Sequence, residues 1–336
     1  MPIFNFVLKL IKNADPVIII PFGGYANEDS FVSCARVLED EGIRHHEDDH
    51  KIKNLWNSLK RFESDEIKGA RVRVSWQNKS IIKTTDDEGY IYIEEKHGLA
   101  NATDGMTHIP VTFELLEKGE VVYQTTSNVI RPHKDAKFGV ISDVDDTIIH
   151  TGVASTLKWR VLVNVLFRHS DKRLPLEGAE EFYRKLHLGK SGQDNNPIFY
   201  LSNSPWNIFE YLTSFLNKFE FPEGPLLLRD IDSKFLKKSG FETGHKYVTI
   251  VKILQMYPHL SFILIGDAGE IDIDIYISIA NSHPDRIKCI YIRSVSKESK
   301  NERIREQIIA NPALEISLVH DKSEVLAHAR EYGYIE

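Results

Sequence analysis

Three carboxylates stand within four positions of this chain: Asp143, Asp145 and Asp146 directly follow an apolar run at residues 138–141. Acids at the end of a buried strand lie where open α/β sheets bind their ligands. Because like charges this close repel one another, the loop needs a cation or a shared proton. A carboxylate can also attack phosphorus, so we predict Asp143 as a nucleophile and Asp145 as the general acid/base. Thr147 would hold both acids in place.

A calcium-binding loop is the first alternative for this segment. Counted from Asp143, the sixth position is Ile148 instead of glycine and the twelfth is Ala154 instead of glutamate, so the pattern excludes it. A plain acidic turn remains open, although the apolar residues on both sides make such a turn costly.

A second group of polar side chains follows the apolar residues at 198–201. Ser202 and Ser204 precede a helix that is expected to start after Pro205, and hydroxyl and backbone N–H groups there can bind a phosphate oxygen. Taken alone, this is also an ordinary helix start. Lys246, before a helix predicted at 247–256, could neutralise a phosphoaspartate, but a lone lysine at a helix start is usually solvated.

A third strand end carries more acids. Gly266 is expected to permit a tight turn after the apolar run at 262–265, and Asp267 offers an oxygen to Mg²⁺ from the far side of Asp143. Magnesium prefers few carboxylates together with water and substrate oxygens. We therefore predict a Mg²⁺ site formed by Asp143, Asp145 (through its backbone carbonyl) and Asp267, with Asp272 as a partner of these ligands.

The elements that position these residues follow from hydrophobic periodicity. From residue 136 onward, apolar strands alternate with helices, which predicts an α/β domain with a doubly wound parallel sheet covered on both faces. The predicted strands are 138–141, 198–201, 226–228, 262–265 and 287–292, and the predicted helices are 157–167, 178–186, 206–219 and 247–256.

Residues 1–135 are β-rich instead and predict a small sandwich with a helical insertion at 40–60. Its first strand is expected in the run 16–21, closed by Pro21. The polar segment 131–135 marks the boundary, so we predict two domains, 1–135 and 136–336.

The order of the motifs resembles the haloacid dehalogenase superfamily of phosphotransferases. That resemblance implies the sheet described above with a small or minimal cap, Asp143 as nucleophile, Asp145 as acid/base, Ser202 and Lys246 on the phosphate, and Asp267 on Mg²⁺. Residues 137–293 more narrowly resemble the Mg²⁺-dependent phosphatidate phosphatases typified by the yeast actin patch protein, which make diacylglycerol. Two departures, Ala268 and the missing proline after Asp272, leave the metal ligand intact.

Substrate contacts are predicted for Thr147, Asn203, Arg229 and Arg293. A lipid substrate requires contact with a membrane surface, and the segments 1–12 and 157–168 combine apolar and basic residues suited to an interface. For both segments, packing inside the protein is the alternative. A soluble phosphoester is the alternative substrate, and a lipid- or protein-binding module on a catalytically dead fold is the alternative function.

Composition and charge bear on the binding partners and the cellular compartment of the protein. The formal charge of −7 argues against nucleic-acid binding. No stretch reaches the roughly 18 uninterrupted apolar residues of a membrane span, and two distant cysteines, Cys34 and Cys289, are consistent with a reducing compartment. We expect a cytoplasmic protein, with peripheral contact to a membrane where the substrate is a lipid.

Overall fold

The structure is a computed structural model that describes residues 17–39, 66–98, 108–145, 147–148, 177–229, 244–269 and 271–336. Asp146, the segments 1–12 and 157–168, and the predicted insertion at 40–60 lie outside these residues. Contacts divide the described residues into two compact units, one formed by residues 17–25, 29–39, 66–98 and 108–129, the other by residues 26–28 and the described residues from 130 onward. The domain boundary at 135/136 stays a prediction.

The N-terminal part is β-rich, as predicted, but its strands do not form the predicted sandwich. One hydrogen-bonded sheet of seven strands takes the place of the two separate sheets of a sandwich, in the order β4-β3-β6-β7-β1-β2-β5. Its edge strands approach each other, since Lys79 Nζ donates to Lys96 O at 3.2 Å. The strands are β1 Val17–Ala26, β2 Ser30–Glu39, β3 Arg71–Trp76, β4 Lys79–Thr84, β5 Tyr90–Lys96, β6 His108–Glu117 and β7 Glu120–Ile130.

Two local features of this sheet bear on the sequence predictions. Strand β1 does not close at Pro21 but runs on to Ala26, and Gly23 allows this by taking a left-handed φ of 72° within the strand. Strand β3 alternates as a half-buried strand should: Val72, Val74 and Trp76 are buried while Arg71 is exposed.

A second sheet is built from six parallel strands in the order β10-β9-β8-β11-β12-β13. The chain enters at the middle, moves to one edge through β9 and β10, and returns to continue from β11 to the other edge. The switch point therefore lies between β8 and β11, where α/β sheets bind their ligands. The strands are β8 Gly139–Asp143, β9 Ile198–Pro205, β10 Leu226–Arg229, β11 Phe262–Asp267, β12 Ile287–Arg293 and β13 Ile316–Val319.

Helices cover both faces of this sheet. Ser142 and Asp143 are consecutive in β8 and therefore point to opposite faces. Ser142 contacts Tyr183 of one helix, whereas Asp143 contacts Lys246 of another. The described helices are α1 Ala179–Leu188, α2 Phe209–Lys218 (after a 3₁₀ turn, Trp206–Ile208), α3 His245–Met256, α4 Asp272–Ser282, α5 Glu298–Ala310 and α6 Lys322–Glu331.

The five predicted strands of this sheet are confirmed, and so are the predicted helices that fall on described residues. Strand β13 and helices α4, α5 and α6 were not predicted. The helix predicted at 157–167 lies outside the described residues. None of the helices that the structure describes is long and apolar enough to span a bilayer.

Candidate active site

Two buried carboxylates lie at the ends of the two strands that flank the switch point of the parallel sheet. Asp143 is the last residue of β8 and Asp267 the last residue of β11; they are 0% and 1% exposed. The last paired residues of β8 and β11 are Ser142 and Ile265, so both acids lie just beyond the part where these two strands pair. Carboxylates this deeply buried need compensating charge or hydrogen bonds.

Lys246 supplies part of this compensation. Its Nζ lies 2.7 Å from Asp143 Oδ1 and 2.7 Å from Asp272 Oδ1, and the lysine is 2% exposed. Helix α3 begins at His245, earlier than predicted, so Lys246 belongs to its first turn. The alternative of a solvated lysine is therefore wrong, and Asp272, at the start of α4, is its second ionic partner.

Gly266 allows Asp272 to come this close. A Cβ atom at Gly266 would lie 2.6 Å from Asp272 Oδ2 and 2.9 Å from Cε2 of Tyr276. The glycine lies inside β11 and makes no tight turn there, contrary to the sequence prediction. It is required for packing, because any larger side chain would push helix α4 away from the sheet.

Asp145 is held by two serines of the neighbouring strand. Ser202 Oγ donates to Asp145 Oδ2 at 2.6 Å, and Ser204 Oγ lies 3.4 Å from both carboxylate oxygens. Both serines lie within β9, which continues to Pro205, and not after the strand as predicted. Alternation along a strand places Ser202 and Ser204 on one face and Asn203 on the other, and the substrate contact predicted for Asn203 stays a prediction. The sequence analysis noted the hydroxyl group of Ser204 but did not predict that it would contact Asp145.

Two main-chain loops are fixed around the buried carboxylates. Thr147 Oγ1 donates to Asp143 Oδ2 at 3.3 Å. On the other side, the backbone N–H of Gly269 donates to Asp267 Oδ1 at 2.8 Å, and Lys300 of α5 donates to the carbonyl oxygen of Gly269. Lys300 was not predicted, because nothing in its local sequence distinguishes it from a surface lysine.

The two predicted arginines end strands that lie on either side of the switch point. Arg229 closes β10 and pairs with Pro205, whereas Arg293 closes β12 and pairs with Asp267. Arg293 and Thr147 also line one cavity. The structure thus brings Arg293 to the side of the site formed by Asp267, and Arg229 to the opposite side.

His245 is a further residue that sequence reasoning did not select. Its Nε2 lies 3.4 Å from the carbonyl oxygen of Leu227. Burial lowers the pKa of His245 to about 4, and the nearby charges of Arg229, Lys246 and Lys252 act in the same direction. The imidazole is therefore neutral near pH 7 and adds no charge to this edge of the sheet.

The side chains present fit a magnesium ion. Asp143 and Asp267 offer the hard carboxylate oxygens that Mg²⁺ prefers, from adjacent strand ends. The carboxylate of Asp145 is engaged by Ser202, so a contribution from that residue would come through its backbone carbonyl. In the part of the chain that the structure describes, no group of three or more His, Cys, Asp or Glu side chains is arranged around one ion, and Mg²⁺ needs no such group.

Comparison with known proteins finds a family model that matches the segment containing this site. Residues 138–294 match the family model "Phosphatidate phosphatase APP1, catalytic domain". Phosphatidate phosphatase APP1 of Saccharomyces cerevisiae is 29% identical over 237 residues, which cover 69% of this chain and 38% of the yeast protein. An uncharacterized protein of Schizosaccharomyces pombe is 24% identical over 277 residues, covering 82% of this chain and 41% of that protein.

The chain thus spans less than half the length of these two relatives. Among solved structures, a carbohydrate acetylesterase from Xanthomonas citri superposes with a TM-score of 0.30 and 9% identity, covering 94% of this chain and 76% of that one. That similarity is too low to indicate a shared fold. The segment matched by the family model, in contrast, contains the aspartates and serines described above, and Lys246. Residues 138–294 are therefore similar to the catalytic domain of phosphatidate phosphatase APP1.

Proposed function

We propose that this chain is a phosphatase that acts through an aspartyl-phosphate on Asp143, and that it converts phosphatidate to diacylglycerol and phosphate. One observation carries the proposal: a buried Asp143 ion-paired with Lys246 at the switch point, next to an Asp145 held by serine hydroxyls. The match to the APP1 catalytic domain supports the choice of substrate. The strand order and the three strand-end motifs also support a haloacid dehalogenase-like fold.

In the first step, a carboxylate oxygen of Asp143 attacks the phosphorus atom of the monoester. The bond from phosphorus to the alcohol oxygen breaks, and Asp145 gives its proton to the leaving oxygen. The products are the free alcohol and a phosphorylated Asp143. Ser202 and Ser204 orient Asp145 for this transfer, because both of their hydroxyl groups lie within hydrogen-bonding distance of its carboxylate.

In the second step, the carboxylate of Asp145 takes a proton from a water molecule that attacks the same phosphorus atom. The bond from phosphorus to Asp143 breaks, which releases inorganic phosphate and restores both acids. Lys246 stays next to Asp143 throughout, so its charge balances the carboxylate before the attack and the phosphoryl oxygens afterwards.

Charge balance supports Mg²⁺ as the cofactor. The buried group consisting of Asp143, Asp267, Asp272 and Lys246 has three negative charges and one positive charge, a net of −2. Substrate phosphate would add more negative charge. Asp143 and Asp267 would hold the ion, which when bound supplies positive charge to the phosphoryl oxygens.

An assay of phosphate release tests the proposed function. The full chain is assayed on dispersed phosphatidate and on a panel of soluble phosphoesters, with Mg²⁺ and with EDTA. We expect Mg²⁺-dependent release from phosphatidate by the wild type and a loss of at least about 10³-fold for Asp143→Asn and Asp145→Asn. Asp135→Asn, at a carboxylate that is 61% exposed, is the matched control and should stay active.

The outcomes separate the parts of the proposal. Turnover near that of the wild type in either site variant would remove the mechanism. Activity on soluble esters alone would remove the lipid substrate and keep the mechanism, and activity with EDTA would remove the metal. Complete inactivity of the wild type would favour a binding module. Because phosphatidate resides in a bilayer, the proposal also implies peripheral contact with a membrane from the cytoplasm, which vesicle cosedimentation tests.

A further inference from the structure

A cavity of about 640 Å³ lies beside the candidate site, between the parallel sheet and helices α1 and α6. Ile265 of β11 and Tyr291 of β12 contribute to it from the sheet. Phe182 of α1 and Val325 and Leu326 of α6 contribute apolar side chains from the helices. The volume falls within the roughly 300–1,000 Å³ that small-molecule sites occupy.

The cavity begins one hydrogen bond away from the proposed nucleophile. Thr147 lines the cavity and donates to Asp143 Oδ2 at 3.3 Å. Arg293 lines it as well, from the end of β12, where it pairs with Asp267. A phosphate at Asp143 would thus lie one side chain, that of Thr147, away from the cavity, and Thr147 and Arg293 form the end of the cavity nearest to the site.

The charged residues around the cavity indicate which ligand suits it. Lys322 pairs with Glu181, Arg330 donates to the carbonyl oxygen of Glu336, and His320 lies 3.0 Å from Glu324. Asp321 accepts from two backbone N–H groups as the N-cap of α6. Since these charges already have partners, a ligand with several additional phosphates would find little compensation here. A mainly apolar ligand with a few hydrogen-bond acceptors fits better.

We propose that this cavity receives the alcohol part of the substrate: the acylated glycerol, with its ester oxygens towards Arg293 and Thr147 and the first carbons of its acyl chains against Phe182, Val325 and Leu326. The inference rests on the proposed phosphatase function and extends it, since it assigns the residues that select a lipid alcohol. Apolar contact with the chains would raise kcat/KM as they lengthen, until the cavity is filled.

Filling or polarising the cavity tests the inference. The measured quantity is the ratio of kcat/KM for dioctanoyl phosphatidate to kcat/KM for para-nitrophenyl phosphate, determined with the full chain and Mg²⁺. We expect Leu326→Trp to lower this ratio about tenfold, the equivalent of roughly two buried methylene groups. A second variant, Leu326→Gln, keeps the side-chain size and should lower the ratio in the same direction. Ile309→Trp, at a position of α5 that is 79% exposed, is the matched control.

Three outcomes are informative. A lower ratio in both Leu326 variants, with Ile309→Trp unchanged, supports the cavity. A ratio within about twofold of the wild type in a folded Leu326 variant overturns the cavity and leaves the phosphatase function standing. Absence of phosphatidate hydrolysis by the wild type overturns the proposed function, and the inference with it.

Discussion

Replacing Lys246 by methionine would remove the cation between two buried carboxylates while keeping a side chain of similar length. Its Nζ lies 2.7 Å from one oxygen each of Asp143 and Asp272, and the three side chains are 2%, 0% and 0% exposed. An exposed ion pair contributes only about 0–1 kcal/mol. Removing one partner of a buried pair costs about 3–5 kcal/mol, because the remaining charge cannot be solvated. We expect Lys246→Met to destabilise the unit that contains the parallel sheet by that amount.

Hydrogen–deuterium exchange of the full chain can measure this loss in one unit at a time. With a factor of ten for each 1.4 kcal/mol, amides of β8 and β11 should exchange roughly 10²- to 4 × 10³-fold faster in the variant. Peptides from β3 and β6 in the other unit provide an internal reference that should not change. Lys252→Met, at an exposed lysine of the same helix, is the matched control.

A second variant separates charge from packing. Adding Asp272→Asn to Lys246→Met removes one of the two carboxylates that lost their cation, so the double variant should regain part of the lost stability. Exchange in Lys246→Met within about tenfold of the wild type would refute this reasoning. The same conclusion would follow if the double variant were no more stable than the single one.

Three further predictions concern neighbouring residues. The pKa of His245 is about 4 in the fold and about 6.5 in an unfolded chain, so the folded state binds fewer protons below pH 7. The free energy of unfolding, measured with urea, should therefore fall by about 2 kcal/mol from pH 7 to pH 5. His245→Gln should remove this fall, whereas His259→Gln, at an exposed histidine, should not. Gly266→Ala should lower the free energy of unfolding by about 1–3 kcal/mol, measured by urea denaturation, because its Cβ would meet helix α4; an unchanged midpoint would contradict this packing role. Lys300→Ala should raise several-fold the Mg²⁺ concentration that gives half of the maximal thermal stabilisation, since Lys300 fixes the loop after Asp267; Arg305→Ala, on the same helix, should leave that concentration unchanged.

The sequence predicted the strands of the parallel sheet because their apolar runs are local and nearly continuous. It also predicted that polar side chains follow those runs, and Asp143 and Asp267 are found at the ends of β8 and β11 as expected. Short-range patterns contain this information, since the period of the apolar residues and the first polar residue after them can be read from about ten positions.

Partners across the fold could not be predicted in the same way. The contacts of Lys246 with Asp272, of Ser202 with Asp145 and of Lys300 with Gly269 join residues 26, 57 and 31 positions apart. Local sequence does not reveal which of many lysines will be buried, because burial depends on how helices pack on the sheet. The cavity beside Thr147 could not be predicted for the same reason, since α1, α6 and three strands contribute to it.

Asp143 and Asp145 have the same side-chain chemistry, and in the proposed mechanism their surroundings separate their roles. Asp143 is fully buried against the ammonium group of Lys246, and an adjacent cation favours the charged carboxylate that a nucleophile requires. Asp145 is only partly buried and faces the hydroxyl groups of Ser202 and Ser204. A hydroxyl group can donate to a carboxylate or accept from a carboxylic acid, so these partners suit a residue that must gain and lose a proton in one cycle. The different partners of the two acids, a lysine for Asp143 and serines for Asp145, thus support the roles proposed for them as nucleophile and acid/base.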